Sequence, residues 1–209
     1  MPTKTFLNLP KEKQARVMDT ALKQFNEMGY DQVSVASLVK ESGIPRGSFY
    51  QYFTDLEDVF RHLLNVIGEE KMAYMAPLTS RFANEAFIHL YEDMVKAGVA
   101  FAKDHPAYYL LGLQLYRSHT PNMIKLRKEL EHQGLAFMEG YLSQDQANGF
   151  INKHTDITLL ARLLYRFNAH ELLERFYEGD DTDALLRHTN AFLTLLKQGI
   201  EGSYESKNL

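Results

Sequence analysis

The 209-residue sequence predicts an all-α fold, with an N-terminal helix-turn-helix module and a larger C-terminal helical domain. Three observations carry this. Apolar residues recur at helical spacing along nearly the whole chain, and no stretch alternates as a strand would. Residues 34–53 read SVASLVKESGIPRGSFYQYF, two short helices joined at a Ser-Gly turn. The length accommodates one small module and a second, larger core, so we divide the chain into domains 1–55 and 56–209.

From Pro10 to Met28, the residues Met18, Ala21, Leu22, Phe25 and Met28 form one apolar stripe, with Lys11, Glu12, Lys23 and Glu27 left to solvent. Ser34 is an N-cap residue, and Val35, Leu38 and Val39 follow on one face. Gly43 supplies the left-handed conformation of a sharp turn, Ile44 plugs the space beneath it, and Pro45 suits the first position of the next helix. In that helix Phe49 and Phe53 turn inward, leaving Arg46, Gly47, Ser48, Tyr50, Gln51 and Tyr52 on or beside the outer surface. Such donors and acceptors read base edges and grip phosphates, so the segment points to double-stranded DNA.

Thr54 or Asp55 caps the next helix, with Glu57 and Asp58 each three residues on, and this helix should end before Pro77. Further helices are expected over 84–104, 106–118 and, from Thr120-Pro121, to about Tyr141. The polar stretch Ser143–His154 reads as a loop. Two last helices, 155–178 and 182–203, are separated by Glu178-Gly179-Asp180-Asp181.

With these residues placed, about residues 10 to 60 resemble the DNA-binding domain of the TetR family of bacterial transcriptional regulators. Phe25 and Met28-Gly29-Tyr30 match the family's Phe followed by Gly-Tyr or Gly-Phe, and Ser34-Val35 stand where it has Thr-Val or Thr-Ile. Gly47-Ser48-Phe49-Tyr50, Tyr52-Phe53 and Glu57-Asp58-Val59 follow its pattern. Three positions depart from it: Val39 replaces a frequent Ala, Leu56 a Lys that often contacts phosphate, and Pro45 a frequent Ser. The resemblance implies a phosphate contact for Tyr52 and a groove-edge role for Tyr50. Arg46 and Gln51 suit guanine and adenine readout, each by paired hydrogen bonds, and either is equally able to hold phosphate. Ser34 and Ser37 are placed to bond phosphate together with backbone N–H groups, beside Ser34's plain capping role.

The resemblance also implies a small-molecule pocket in the C-terminal domain. Candidate lining residues are Phe60, Leu63, Ile67, Tyr74, Phe87, Tyr91, Phe101, Tyr108, Leu111, Leu115, Phe137, Tyr141 and Phe167, each equally suited to ordinary core. The last two helices carry apolar residues on more than one face. Leu160, Leu164, Phe167, Phe192, Leu196 and Ile200 are the expected homodimer interface, two helices from each subunit making a four-helix bundle as in the family's dimers.

Charge is compatible with DNA when taken locally. The net charge is −4, but residues 1–55 carry seven Lys/Arg against six Asp/Glu. So weakly basic a head should depend on dimerisation for its affinity. Cysteine is absent, which excludes disulfides and thiolate zinc sites. No apolar leader and no bilayer-length apolar run is evident, so a soluble, cytoplasmic protein is expected.

No phosphate-cradling glycine loop or nucleophile elbow occurs, and no cofactor or metal is expected. His170-Glu171-Leu172-Leu173-Glu174 lacks the second His of HExxH, and Glu129-Leu130-Glu131-His132 fits one ExxH of a helical di-iron site without its second copy. The reading is a homodimeric repressor released from a pseudo-palindromic operator by a small apolar or amphipathic effector. The alternatives are a helical metal-dependent enzyme built on the ExxH residues and a ligand-independent or activating regulator.

Overall fold

In the computed structural model, which describes residues 2–82 and 84–198, the helical periodicity resolves into eleven α-helices, with no strand among the described residues. The chain packs as two units, Met1–Pro77 with Ala100–Phe137, and Leu78–Val99 with Met138–Leu209.

The first unit holds α1 (Lys4–Leu7), α2 (Lys11–Met28), α3 (Val35–Ser42), α4 (Arg46–Tyr52), most of α5 (Leu56–Thr79), the end of α6 (Phe87–Asp104), α7 (Pro106–Arg117) and much of α8 (Pro121–Ala147). Its core gathers Val17, Ala21 and Phe25 from α2 with Leu38, Phe49 and Phe53, then Phe60 and Leu63 from α5 and Leu111 and Leu115 from α7. Phe25 meets Phe60 edge-on at 5.1 Å, and Tyr30 stacks on Phe25 at 5.7 Å. Burial pushes the Tyr30 phenol up to about 12, reinforced by the nearby carboxylates of Glu57 and Asp55. Phe6 of α1 is fully buried here too, a burial that contributes about 1.5–3 kcal/mol.

The α2 stripe is rotated from its expected position. Val17 and Gln24 join Ala21 and Phe25 in the buried face, Met18 and Leu22 are half-buried, and Met28 is 42% exposed at the helix end. Gln24 tolerates burial because its amide donates to Glu41 Oε2 at 2.6 Å and lies 3.0 Å from the Ser37 hydroxyl. Asp55 caps α5, accepting the Asp58 N–H at 2.9 Å, while Asp58 accepts the Thr54 N–H at 3.2 Å. Helix α5 runs through Pro77 instead of ending before it. The ring forfeits the bond an N–H at this position would make to the Ala73 carbonyl, and only two helical residues follow it.

In the second unit, Phe87, Leu90 and Tyr91 of α6 lie buried, as do Leu142 of α8, Ala161 and Leu164 of α9 (Ile157–Arg166), and Leu185 and Leu193 of α11 (Thr182–Gln198). Tyr91 Oη donates to the Leu164 carbonyl at 2.8 Å, and burial raises its pKa. Helix α8 continues to Ala147, past the expected loop start at Ser143, because Leu142 and Asp145 still face the core. Asp145 is buried and accepts the Ile88 N–H at 3.1 Å, capping α6. The expected 155–178 helix is one rod in three parts: α9, a π-helical turn over Phe167–Leu172, and α10 (Leu173–Glu178), ended by Gly179 at φ 101°.

Within the first unit, α5 and α7 supply part of the core that α2 and α4 also share.

Candidate nucleic-acid interface and effector region

Local chemistry builds the helix-turn-helix. The Ser34 side chain accepts the Ser37 N–H at 3.0 Å while Ser37 Oγ accepts the Ser34 N–H at 3.1 Å, a reciprocal cap on α3. Gly43 closes α3 at φ 69°, in the left-handed region; a Cβ there would meet nothing within 4 Å, so conformation and not space calls for glycine. Ile44 is buried beneath the turn, and Pro45 takes the N-cap of α4, one residue before its expected place.

On α4, Arg46, Gly47, Tyr50 and Gln51 are exposed, and Ser34 is exposed at the head of α3. Tyr50 is 54% exposed, its ring standing at 89° to that of the buried Phe49. Ser48 and Ser37 are half-buried. Tyr52 corrects the expected pattern: it is 4% exposed, with Phe6 at 5.8 Å and the Lys13 ammonium 5.7 Å from its ring centroid. It lies three residues from Phe49, on the inner face, where α1 covers it. Lys23 and Glu41 pair at 2.7 Å beside α3; the hydrogen bond raises the lysine pKa and lowers that of the carboxylate.

The residues expected to line a pocket divide between the two units. Phe60, Leu63, Leu111 and Leu115 belong to the core beneath the helix-turn-helix. Phe87, Tyr91, Tyr141 and Phe167 lie in the second unit, where Tyr141 stacks on Phe87 at 5.5 Å. Ile67 is half-buried and Phe137 is 44% exposed. Tyr74, Phe101 and Tyr108 do come together, around a polar knot that joins α5 to the α6–α7 corner. Tyr74 Oη donates to Asp104 Oδ2 at 2.7 Å, Tyr108 Oη donates to Glu70 Oε1 at 3.2 Å, and the His105 ring stacks on Tyr108 at 5.2 Å with Nδ1 3.7 Å from Glu70. The Asp104 contact raises the Tyr74 pKa, and burial raises that of Tyr108.

Helix α7 is also bolted to α2. Asn26 Nδ2 donates to the Ala107 carbonyl at 2.8 Å, Gln114 Nε2 donates to the Asn26 carbonyl at 3.4 Å, and Ser118 Oγ donates to Asp31 at 2.6 Å. On α5, Phe60, Leu64, Ile67, Lys71 and Tyr74 share a face. Lys71 is the charged member of that row and is exposed. In the second unit a hollow of about 370 Å³ is lined by polar residues such as Asn84, Gln144 and Asn148 with the aromatic Phe82, Tyr141 and Phe150. Of the expected pocket residues it includes Tyr141.

The dimer residues are mostly spent within the protomer. Leu164 is fully buried, Phe167 is buried and stacks on Phe192 at 4.0 Å, and Leu160, Phe192 and Leu196 are half-buried. Ile200 lies outside the described residues. The exposed apolar side chains of these helices are instead Leu159 and Leu163 on α9 and Leu195 on α11. The two metal-like motifs have other partners. Glu129 accepts from Arg61 Nη1 at 2.8 Å, and Glu171 lies 2.8 Å from His188 Nε2. Among the described residues no group of three His, Asp or Glu is placed to hold a metal ion, and no helix is long and apolar enough to cross a membrane.

The model of the "Bacterial regulatory proteins, tetR family" matches residues 17–63. The HTH-type transcriptional repressor ComR of Escherichia coli strain K12 is 30% identical over 164 residues, 70% of this chain and 71% of that protein. The chain belongs to the TetR family. The Fatty acid metabolism regulator protein of Bacillus subtilis strain 168 is 24% identical over 190 residues, 90% of this chain and 95% of its own. Among solved structures, a TetR family transcriptional regulator from Chloroflexus aurantiacus J-10-FL is 26% identical, with TM-score 0.60 and 94% and 91% of the two chains covered. FadR from Bacillus subtilis, in complex with stearoyl-CoA, has TM-score 0.68 at 20% identity, covering 89% of this chain and 98% of its own.

This TetR-family chain is accordingly a transcriptional regulator with a helix-turn-helix DNA-binding domain. Several of its connecting residues carry little sequence signal. Glu70, Asp104 and His105 read as solvated charges, and Asn26 and Gln114 as surface amides. Their only legible cue is His105-Pro106, a helix start.

Proposed function

We propose that this regulator is a cytoplasmic homodimeric repressor that leaves a pseudo-palindromic operator when an amphipathic effector binds its C-terminal helices. In this reading residues 1–55 are the reading head and 56–209 the effector and dimer domain. Ser34, Arg46, Gly47, Tyr50 and Gln51 contact DNA, with Ser37 and Ser48 beside them. Two heads enter successive major grooves roughly 34 Å apart.

The observation that carries the release mechanism is the hydrogen-bonded tie of α7 to α2 through Asn26 and Gln114, and to the turn that follows α2 through Ser118. A ligand that displaces α7 must displace α2, and the spacing of the heads changes against a fixed DNA repeat. The energetic requirement is a ligand that binds the DNA-released state more tightly than the DNA-bound one. Support for an amphipathic effector comes from Lys71 in the largely apolar row of α5, which suits an anionic group on an apolar body. The similarity to a fatty acid metabolism regulator agrees with a long-chain acyl thioester. Dimerisation is read from the exposed Leu159, Leu163 and Leu195 beside the buried Leu164 and Phe167.

The test is a titration of the full chain against duplexes it selects from a random-sequence library, with stearoyl-CoA then added. Two chains per duplex and release by the thioester support the proposal. One chain per duplex overturns the dimer. Undiminished binding at saturating stearoyl-CoA, measured as bound by calorimetry, favours the ligand-independent or activating reading.

A further inference from the structure

The recognition helix α4 spans only Arg46–Tyr52, so the carbonyls of its last turn have no partner within the helix and must be met from outside. The N-terminal segment meets two of them. The Thr3 N–H donates to the Tyr52 carbonyl at 2.9 Å, and Thr3 Oγ1 donates to the Gln51 carbonyl at 2.6 Å. The same hydroxyl oxygen accepts the Phe6 N–H at 3.4 Å, starting α1. Phe6 in turn is fully buried, 4.7 Å from Phe53 and edge-on to His62 at 5.8 Å. One threonine thus joins the start of α1 to the end of α4, and one phenylalanine anchors that joint to α5. These residues precede the family match at 17–63.

We propose that Thr3 and Phe6 form a clamp on α4 that sets the sequence discrimination of the regulator. Thr3 is a positioning residue that acts through Gln51. The peptide it holds is the one whose side chain is exposed for base readout, so a shift of that carbonyl moves the origin of the reading side chain. Paired hydrogen bonds to a base edge tolerate misplacement of only about 0.5 Å, whereas phosphate contacts carry no sequence information and accept a looser fit. Loss of the clamp therefore weakens binding to the correct sequence and leaves general attraction to DNA in place.

This inference rests on α4 as the base-reading helix, and the experiment separates the two. Thr3→Val, nearly isosteric, removes the hydroxyl; Thr3→Ser retains it; Phe6→Leu loosens the anchor with less risk to folding than alanine. Each full-length variant is titrated by fluorescence anisotropy against a duplex selected by the wild type and a scrambled duplex of equal length. Thermal melting is recorded in parallel. The expected result is an affinity for the selected duplex about tenfold lower in Thr3→Val, in line with one hydrogen bond to a base lost when Gln51 shifts. Affinity for the scrambled duplex stays within about twofold, and Thr3→Ser restores the wild-type ratio. An unchanged ratio in both Thr3→Val and Phe6→Leu overturns the clamp, as does a parallel fall on both duplexes that tracks a lower melting temperature. Gln51→Ala is the control: if it too leaves the ratio unchanged, the assignment of α4 fails and the clamp with it.

Discussion

Gly47 sits in the first turn of α4 with ordinary helical geometry, and a Cβ built on it would meet nothing within 4 Å. Neither backbone conformation nor packing within the chain calls for glycine here. Replacing it with alanine in a helix is worth about 1 kcal/mol. For a chain of this size that corresponds to a melting temperature raised by about 2–4 °C if the head unfolds with the rest. The added methyl group, however, projects from the exposed surface proposed to approach DNA. Forcing a methyl into a close-packed contact costs about 1–3 kcal/mol, or roughly fivefold to somewhat over a hundredfold in affinity. Gly47→Ala is therefore expected to be more stable and to bind its selected duplex more weakly. Differential scanning calorimetry and anisotropy on one preparation measure both. A variant that gains stability with unchanged DNA affinity refutes the close approach at Gly47. One that loses stability refutes the account of α4 as unstrained at this position.

His62 offers a pH test. Burial among Phe6 and Phe53 lowers its pKa below the ordinary 6.5, and its Nδ1 is buried with no hydrogen-bond partner among the described residues. The unfolded chain therefore takes up a proton at a higher pH than the folded one. Stability is fully present above pH 6.5 and falls as the pH drops through that value, a slope that denaturant titrations between pH 5 and pH 8 should show and His62→Phe should flatten. Leu163→Asp with Leu195→Asp should convert the proposed homodimer to monomer by sedimentation and lower DNA affinity about a hundredfold; a dimer that survives both changes places the interface elsewhere. Lys71→Met should weaken release by an anionic amphiphile such as stearoyl-CoA about tenfold while sparing DNA affinity. Equal release by wild type and variant would remove Lys71 from the effector site.

The helix-turn-helix was legible because its signals are local. Ser34, Gly43 and Phe49 act within a few residues of themselves, and the structure puts a cap, a left-handed turn and a buried ring where the sequence reading has them. Tyr52 was not, since its burial depends on Phe6, an element 46 positions away in a four-residue helix with no periodicity to detect. Helical spacing identified the apolar rows of α5 and α7 but not their destination: Phe60, Leu63, Leu111 and Leu115 fill core that the sequence cannot distinguish from pocket lining. On α9 both the Leu159/Leu163 and Leu160/Leu164 rows are apolar, so the outward row could be chosen only from the packing. The end of α8 was obscured by composition. Asp145 reads as a solvated charge but is buried as the cap of another helix.

The most direct measurement is the affinity of the Tyr50→Ala, Gln51→Ala double variant for the duplex selected by the wild type. Both side chains are exposed on α4 and remote from the α9–α11 packing in sequence. The expected result is a loss of about a hundredfold or more, with sedimentation and melting of the protein unchanged. Wild-type affinity in the double variant would contradict α4 as the reading helix.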